Sequence, residues 1–150
     1  MKTLYCDASF SPQGNARNGE NVVRGKIAVA WEGGQRIDKV AIGRVEGLNQ
    51  YNNVLELTAI ARAIELECEC VVKADSLRIF SDSKTAVVWA SSGKIKDGVR
   101  TVAHQNALDY LKTVRLKFGG IVTFNYIGRE RNPAGILLEG ELEKERSYSI

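Results

Sequence analysis

YNNVLELTAI, residues 51–60, is the stretch on which the reading of the chain turns. Leu55, Leu57, Ala59 and Ile60 suit the opening turns of a helix bound for a core, and Asn52 or Asn53 suits its N-cap. Glu56 breaks the pattern. An acid stands among core-bound residues, with two adjacent amides at the entrance. An ordinary reading makes Glu56 a first-turn acid that complements the helix dipole. The other makes it a ligand, and the choice depends on what the rest of the chain brings to it.

The segments on either side alternate between strand and helix patterns. KTLYCDASF (2–10) places Leu4, Cys6, Ala8 and Phe10 on one face of a strand and Tyr5, Asp7 and Ser9 on the other. SPQGNARNGENVVRG (11–25) reads as a loop, KIAVAWEG (26–33) as a second strand, Gly33-Gly34 as a hairpin turn, and KVAIGRVE (39–46) as a third strand. The helix that opens at Asn52 or Asn53 runs to about Val72, with Ala59 and Ala63 on the face of Glu56. LRIFSD (77–82) has the apolar character of a central buried strand. A short helix (83–92) stopped by Gly93, a longer one (99–118) ended by Gly119-Gly120, and a fifth strand (121–128) follow. Asn132 and Pro133 then suit the cap and first position of a last helix. This order predicts a mixed five-stranded α/β sheet flanked by helices, with right-handed crossovers between the later strands.

Bulk properties set the frame. The 150 residues predict a single domain over 1–150, with a charged tail from about 140 to 150. A chain of this length buries roughly 68–70% of its unfolded surface and needs no staples. The net charge of +3 is compatible with a polyanionic partner without requiring one. Cys6, Cys68 and Cys70 have no zinc-like spacing and read as free thiols of a reducing compartment. MKTLYCDAS lacks the apolar core of a signal peptide, and no apolar run approaches the ~20 residues of a membrane span, so a cytoplasmic protein without membrane or obligate protein partner is expected.

Asp7 lies within the first strand, Asp82 closes the fourth, and Glu56 sits one turn into the first long helix. With strands one and four as parallel neighbours, all three carboxylates would meet at one end of the sheet. Such a cluster repels itself, and hard divalent cations would relieve it. Two ions about 3.5–4 Å apart can activate water and stabilise the leaving oxygen of a phosphodiester. Each acid also has a plain reading; Asp82, between Ser81 and Ser83, could simply cap a helix. Asp7 is the least ordinary, since a carboxylate within a strand is disfavoured.

YCDASF, NNVLELTAI and IFSDSKTAV come in an order and spacing that resembles ribonuclease H type 1. The resemblance covers nearly the whole chain. It implies a ribonuclease H-like fold, with strands 1–3 antiparallel and strands 4 and 5 parallel to strand 1. It also implies hydrolysis of the RNA strand of RNA–DNA hybrids with two Mg²⁺ or Mn²⁺ ions, leaving 5′-phosphate and 3′-hydroxyl ends. Asp7, Glu56 and Asp82 are then metal ligands, and Asn52 and Asn53 contact the hybrid. Ser9, Ser83 and Lys84 stand where members of the family touch the substrate backbone. Recognition would rest on the 2′-hydroxyl and on minor-groove shape.

The sequence departs from the family pattern in three places. The family carries a fourth carboxylate early in the last helix; here RERNPAGILLEGE puts Gly135 or Ile136 in that place. Glu139, three or four residues on and on the same helical face, either replaces it as a catalytic and metal-ligating acid or is a solvent-facing residue, with Glu130 in the preceding loop as a further candidate. The loop histidine found in many members is absent, and the one histidine, His104, reads as structural. SSGKIKDGVR is too short for the extra basic helix of some members, leaving Lys94, Lys96 and Arg100 as a modest basic patch. Two alternatives follow: a weak or inactive nucleic-acid-binding domain of this fold, or a nuclease acting on other duplexes such as double-stranded RNA.

Overall fold

Asp7 and Asp82 emerge side by side because of one strand pairing. In the computed structural model, which describes residues 1–10, 21–48 and 50–148 (145–148 by backbone alone), β1 (Lys2–Phe10) runs parallel to β4 (Ser76–Ser81), with Cys6 opposite Ser81. The next residue of each chain is an acid. β2 (Val22–Trp31) and β3 (Gly34–Gly43) pair antiparallel outward from β1, and β5 (Ile121–Tyr126) pairs parallel with β4. The strand order is β3-β2-β1-β4-β5, with the directions that the resemblance implies.

The hairpin is longer than its sequence suggests. Gly33, at φ 89, forms the turn with Glu32, and the ladder runs unbroken from Trp31 opposite Gly34 to Val22 opposite Gly43. The third strand therefore begins at Gly34 instead of residue 39. The polar run Gln35, Arg36, Asp38 and Lys39 hid it, because β3 ends the described sheet and keeps charge on its exposed positions. Of the expected loop over 11–25, residues 11–20 lie outside the described ones and Val22–Gly25 belong to β2. Gly25 is required by close approach: a Cβ there would stand 2.7 Å from the Ser9 carbonyl oxygen and 3.0 Å from Leu55.

Among the described residues, four α-helices flank the sheet: α1 (Asn52–Cys68), α2 (Lys84–Ser92), α3 (Val102–Phe118) and α4 (Pro133–Tyr148). α1 ends at Cys68, not Val72, and Val71 and Val72 lie exposed beyond it. On one face of the sheet, α1 and α3 bury the main core, including Leu57, Ile60, Ile64, Leu108 and Leu111. Each such side chain contributes about 1.5–3 kcal/mol by leaving water. On the other face, α4 meets β1 and β2 through a small cluster of Ala28, Ala30, Ala134 and Leu138. The charged end of the chain continues this helix to Tyr148. No helix among the described residues is long and apolar enough to cross a membrane.

A buried acid away from the sheet end ties three segments together. Glu67, 2% exposed near the end of α1, accepts from Lys2 Nζ at 2.7 Å and from the Ala74 backbone N–H at 2.8 Å. It joins the start of β1 to the α1–β4 connection. Replacing Glu67 with Ala strands the Ala74 donor and is expected to cost about 2–3 kcal/mol of unfolding free energy in a urea titration.

Candidate metal centre

Each acid of the predicted trio is delivered by a different element. β1 carries Asp7 and the end of β4 releases Asp82. α1 brings Glu56 across from the core side, where its Oε1 accepts from the Ala8 backbone N–H at 3.3 Å. One carboxylate oxygen from each of the three lies within 4.8 Å of the others. The second oxygen of Glu56 is buried and has no hydrogen-bond partner, in a residue only 8% exposed. Burial, and then the neighbouring Asp7 charge, push the Glu56 carboxyl well above its usual range. Burial and Asp7 also raise Asp82, while the Asn132 hydrogen bond and the Arg129 charge pull it back. Beneath them the buried Cys6 thiol is pushed up by burial and by all three acids.

The capping expectations resolve in favour of free acids. Asp82 does not cap α2: Ser83 occupies the N-cap and accepts from the Ala86 N–H at 3.1 Å. At α1 neither asparagine caps the helix. Tyr51 occupies the N-cap without a side-chain cap, its hydroxyl bonded to both the N–H and C=O of Val45. Asn52 and Asn53 are thus released to the surface. The Ser83 hydroxyl donates to Asn53 Oδ1 at 3.3 Å, which joins the two helix entrances. An all-oxygen donor set with an unpartnered buried oxygen fits a hard divalent cation, and Asp7, Glu56 and Asp82 would hold it.

The structure adds a residue that the sequence reading took only for a helix cap. Asn132 is fully buried; its Oδ1 accepts from the Ala134 N–H, while its Nδ2 donates to the Cys6 carbonyl at 3.0 Å and to Asp82 Oδ2 at 3.3 Å. One amide thereby caps α4, fastens it to β1 and orients Asp82. The Asn-Pro pair signals the cap, but nothing in the sequence signals the grip on Asp82. The structure also decides which residue faces the acids from α4. It is Gly135, whose absent Cβ would stand 3.0 Å from Asp7 Oδ2 and 3.7 Å from Asp82 Oδ2; Ile136 is exposed.

A groove of about 1030 Å³ runs over the acids, and Ser9, Asn52, Asn53, Ser83, Lys84, Glu130 and Glu139 all line it. The Ser9 hydroxyl is buried without a partner. Lys84 lies exposed, its ammonium 5.0 Å from the centre of the Tyr126 ring. Glu139 is exposed and outside the close set of three, and the Glu130 carboxylate folds back over Gly128. His104 is buried away from the acids; its ring accepts from the Thr101 N–H in the capping box of α3 and packs edge-on against Trp89.

No protein-family profile matches the sequence. No curated protein matches it either. Solved structures do. RNase H1 from the halophilic archaeon Halobacterium salinarum superposes with a TM-score of 0.57 at 15% identity, covering 89% of each chain. The N-terminal RNase H domain of a Mycobacterium tuberculosis protein gives 0.56 at 18%, over 88% of this chain and 86% of that one. LC11-RNase H1, isolated from compost and solved with an RNA/DNA hybrid, gives 0.55 at 19% over 89% of each. At these identities the likeness establishes the fold: the chain adopts the ribonuclease H fold.

The crowded acids set a pH signature. Between the ordinary carboxylate value and the raised value of Glu56, the folded protein keeps a proton that the unfolded chain has released, so stability falls as pH rises through that interval. Melting curves in EDTA are expected to show this fall, and excess Mg²⁺ to remove it by binding the ionised folded site.

Proposed function

We propose that the protein is a metal-dependent endoribonuclease that hydrolyses the RNA strand of RNA–DNA hybrids, giving 5′-phosphate and 3′-hydroxyl ends. The observation that carries this reading is the Glu56 oxygen, buried and unpartnered against Asp7 and Asp82. Mutual repulsion and burial work against that arrangement, and a cation would relieve both. The solved relative that holds an RNA/DNA hybrid supports the substrate class. Free thiols at Cys6, Cys68 and Cys70 suit a cytoplasmic setting.

Bound Mg²⁺ or Mn²⁺, two ions in this reading, would supply Lewis acidity toward an attacking water and the leaving oxygen of a phosphodiester. The chain's own residues do the rest. Asp7, Glu56 and Asp82 hold the charge in place, and Asn132 fixes the Asp82 carboxylate. Asn52 and Asn53, free of capping duty, present amides to base edges and sugars along the groove. The Ser9 hydroxyl is an unpaired donor for the substrate backbone, Ser83 holds Asn53 in place beside it, and Lys84 adds a positive charge. Glu139, one turn beyond Gly135 on the wall of the same groove, is the candidate fourth acid. With only the modest basic patch of Lys94, Lys96 and Arg100, the chain binds the hybrid weakly on its own, and each missing phosphate contact flattens the salt slope by about 0.9 for a B-form duplex.

A second reading has its own observation. Gly135 faces the acids where the family pattern carries a carboxylate, which favours a hybrid-binding domain with little or no cleavage. A labelled hybrid incubated with Mg²⁺ or Mn²⁺ separates the two. Cleavage by the wild type and none by Asp7→Asn is expected, whereas binding without cleavage in either metal would establish the second reading. Double-stranded RNA in the same panel tests the substrate class and should remain intact. Glu139→Ala is expected to lower the rate or metal affinity about tenfold or more, and Glu143→Ala to leave both unchanged; equal effects would remove Glu139 from the site.

A further inference from the structure

Two buried polar atoms outside the acid groove lack a hydrogen-bond partner, Arg62 Nε on α1 and the Tyr110 hydroxyl on α3. The others among the described residues, on Ser9 and Glu56, line that groove. Buried groups left unpaired are costly and rare. Arg62 and Tyr110 line one cavity of about 430 Å³ between α1, α3 and β3, within the size range of small-molecule sites. It shares no lining residue with the acid groove. Its shape follows from the sequence: α3 lines it with Ala103 and Ala107, about one turn apart, where larger side chains would fill the gap. Val40 and Ile42 of β3 complete an apolar wall.

We propose that this cavity binds a small organic carboxylate with an apolar body. Both orphaned groups can donate, the guanidinium N–H always and the hydroxyl by rotation. The lining carries Lys39 and Arg62 and no acid among the described residues. Two acids outside the lining hold part of the Arg62 charge: Glu65 accepts from Nη1 at 2.6 Å, and Asp38 lies 3.8 Å from Nε. A phosphate dianion would meet their repulsion. A carboxylate brings a single charge and two acceptor oxygens, one for each unpaired donor. The wall of alanine, valine and isoleucine takes an aliphatic body by burial. Neither the acids nor the groove over them takes part.

The test is titration of the isotope-labelled, metal-free protein with hexanoate, read by amide chemical shifts. Saturating shifts centred on Ala41, Arg62 and Ala107 are expected, with a Kd on the order of 1 mM for so small a ligand. No saturation, or shifts centred elsewhere, overturns the proposal. Hexylammonium should not bind, and inorganic phosphate should bind at least about fivefold more weakly than hexanoate. Equal or tighter binding of either overturns the carboxylate assignment. Tyr110→Phe deletes the unpaired hydroxyl, and is expected to melt no lower than wild type yet to bind hexanoate about fivefold or more weakly. Ala107→Leu fills the cavity and is expected to abolish binding. Wild-type affinity in Tyr110→Phe overturns the proposal even where Ala107→Leu fails to fold. Asp7→Asn should bind hexanoate as wild type does, so that this cavity and the acid centre can fail independently. Loss of hexanoate binding in Asp7→Asn would place the ligand at the acids and overturn the cavity site.

Discussion

The parallel pairing of Cys6 with Ser81 is the constraint from which the site follows. It fixes the residues just beyond, Asp7 and Asp82, at the same end of the sheet whatever their mutual repulsion. The apolar face of α1, docked on the core side, then carries Glu56 to them, and the Ala8 N–H catches one of its oxygens. None of the three acids can withdraw without breaking something larger. β1 and β4 are interior strands of the described sheet, and α1 buries Leu55, Leu57, Ile60 and Ile64 completely. Hydrophobic burial thus imposes an electrostatic arrangement that the carboxylates alone would not form.

The surroundings of the trio are sorted by what they do to its charge. Asn132 and Arg129 favour the ionised form of Asp82, whereas nothing comparable serves the free oxygen of Glu56. The centre is therefore uneven, with an acid steadied from α4 and another left in a dry wall. That unevenness distinguishes it from an ordinary buried ion network such as the one around Glu67, where every oxygen has a donor. Full satisfaction of polar groups marks a structural strut, and an orphaned acceptor in an acid cluster marks a place for something else.

The sequence carried the fold through its alternation of periods and placed the acids through strand order. Its errors lie where polarity conceals structure. β3 was cut short because an edge strand keeps charged residues, and α1 was overextended because Val71 and Val72 continue its apolar run into solvent. The asparagines at 52 and 53 looked like caps, yet Tyr51 takes that position through contacts with Val45, residues too far back for a local pattern to foresee. Asn132 was legible as a cap but not as the grip on Asp82, because that bond crosses 50 residues of chain. Which residue of Gly135 and Ile136 faces the acids needed the helix in place.

The cluster that seats α4 consists of three alanines and one leucine, with Tyr5, Ile37 and Leu137 at its margin. Methyl groups give little contact area, so this helix lies against β1 and β2 on a smaller apolar seat than α1, whose isoleucines and leucines fill the main core. Yet α4 carries Asn132 and residue 135, one whole wall of the acid pocket. That wall is held to β1 by the hydrogen bond from Asn132 to the Cys6 carbonyl as well as by apolar burial. A change that loosens Asn132 would therefore disturb the seat of the helix and the Asp82 carboxylate together.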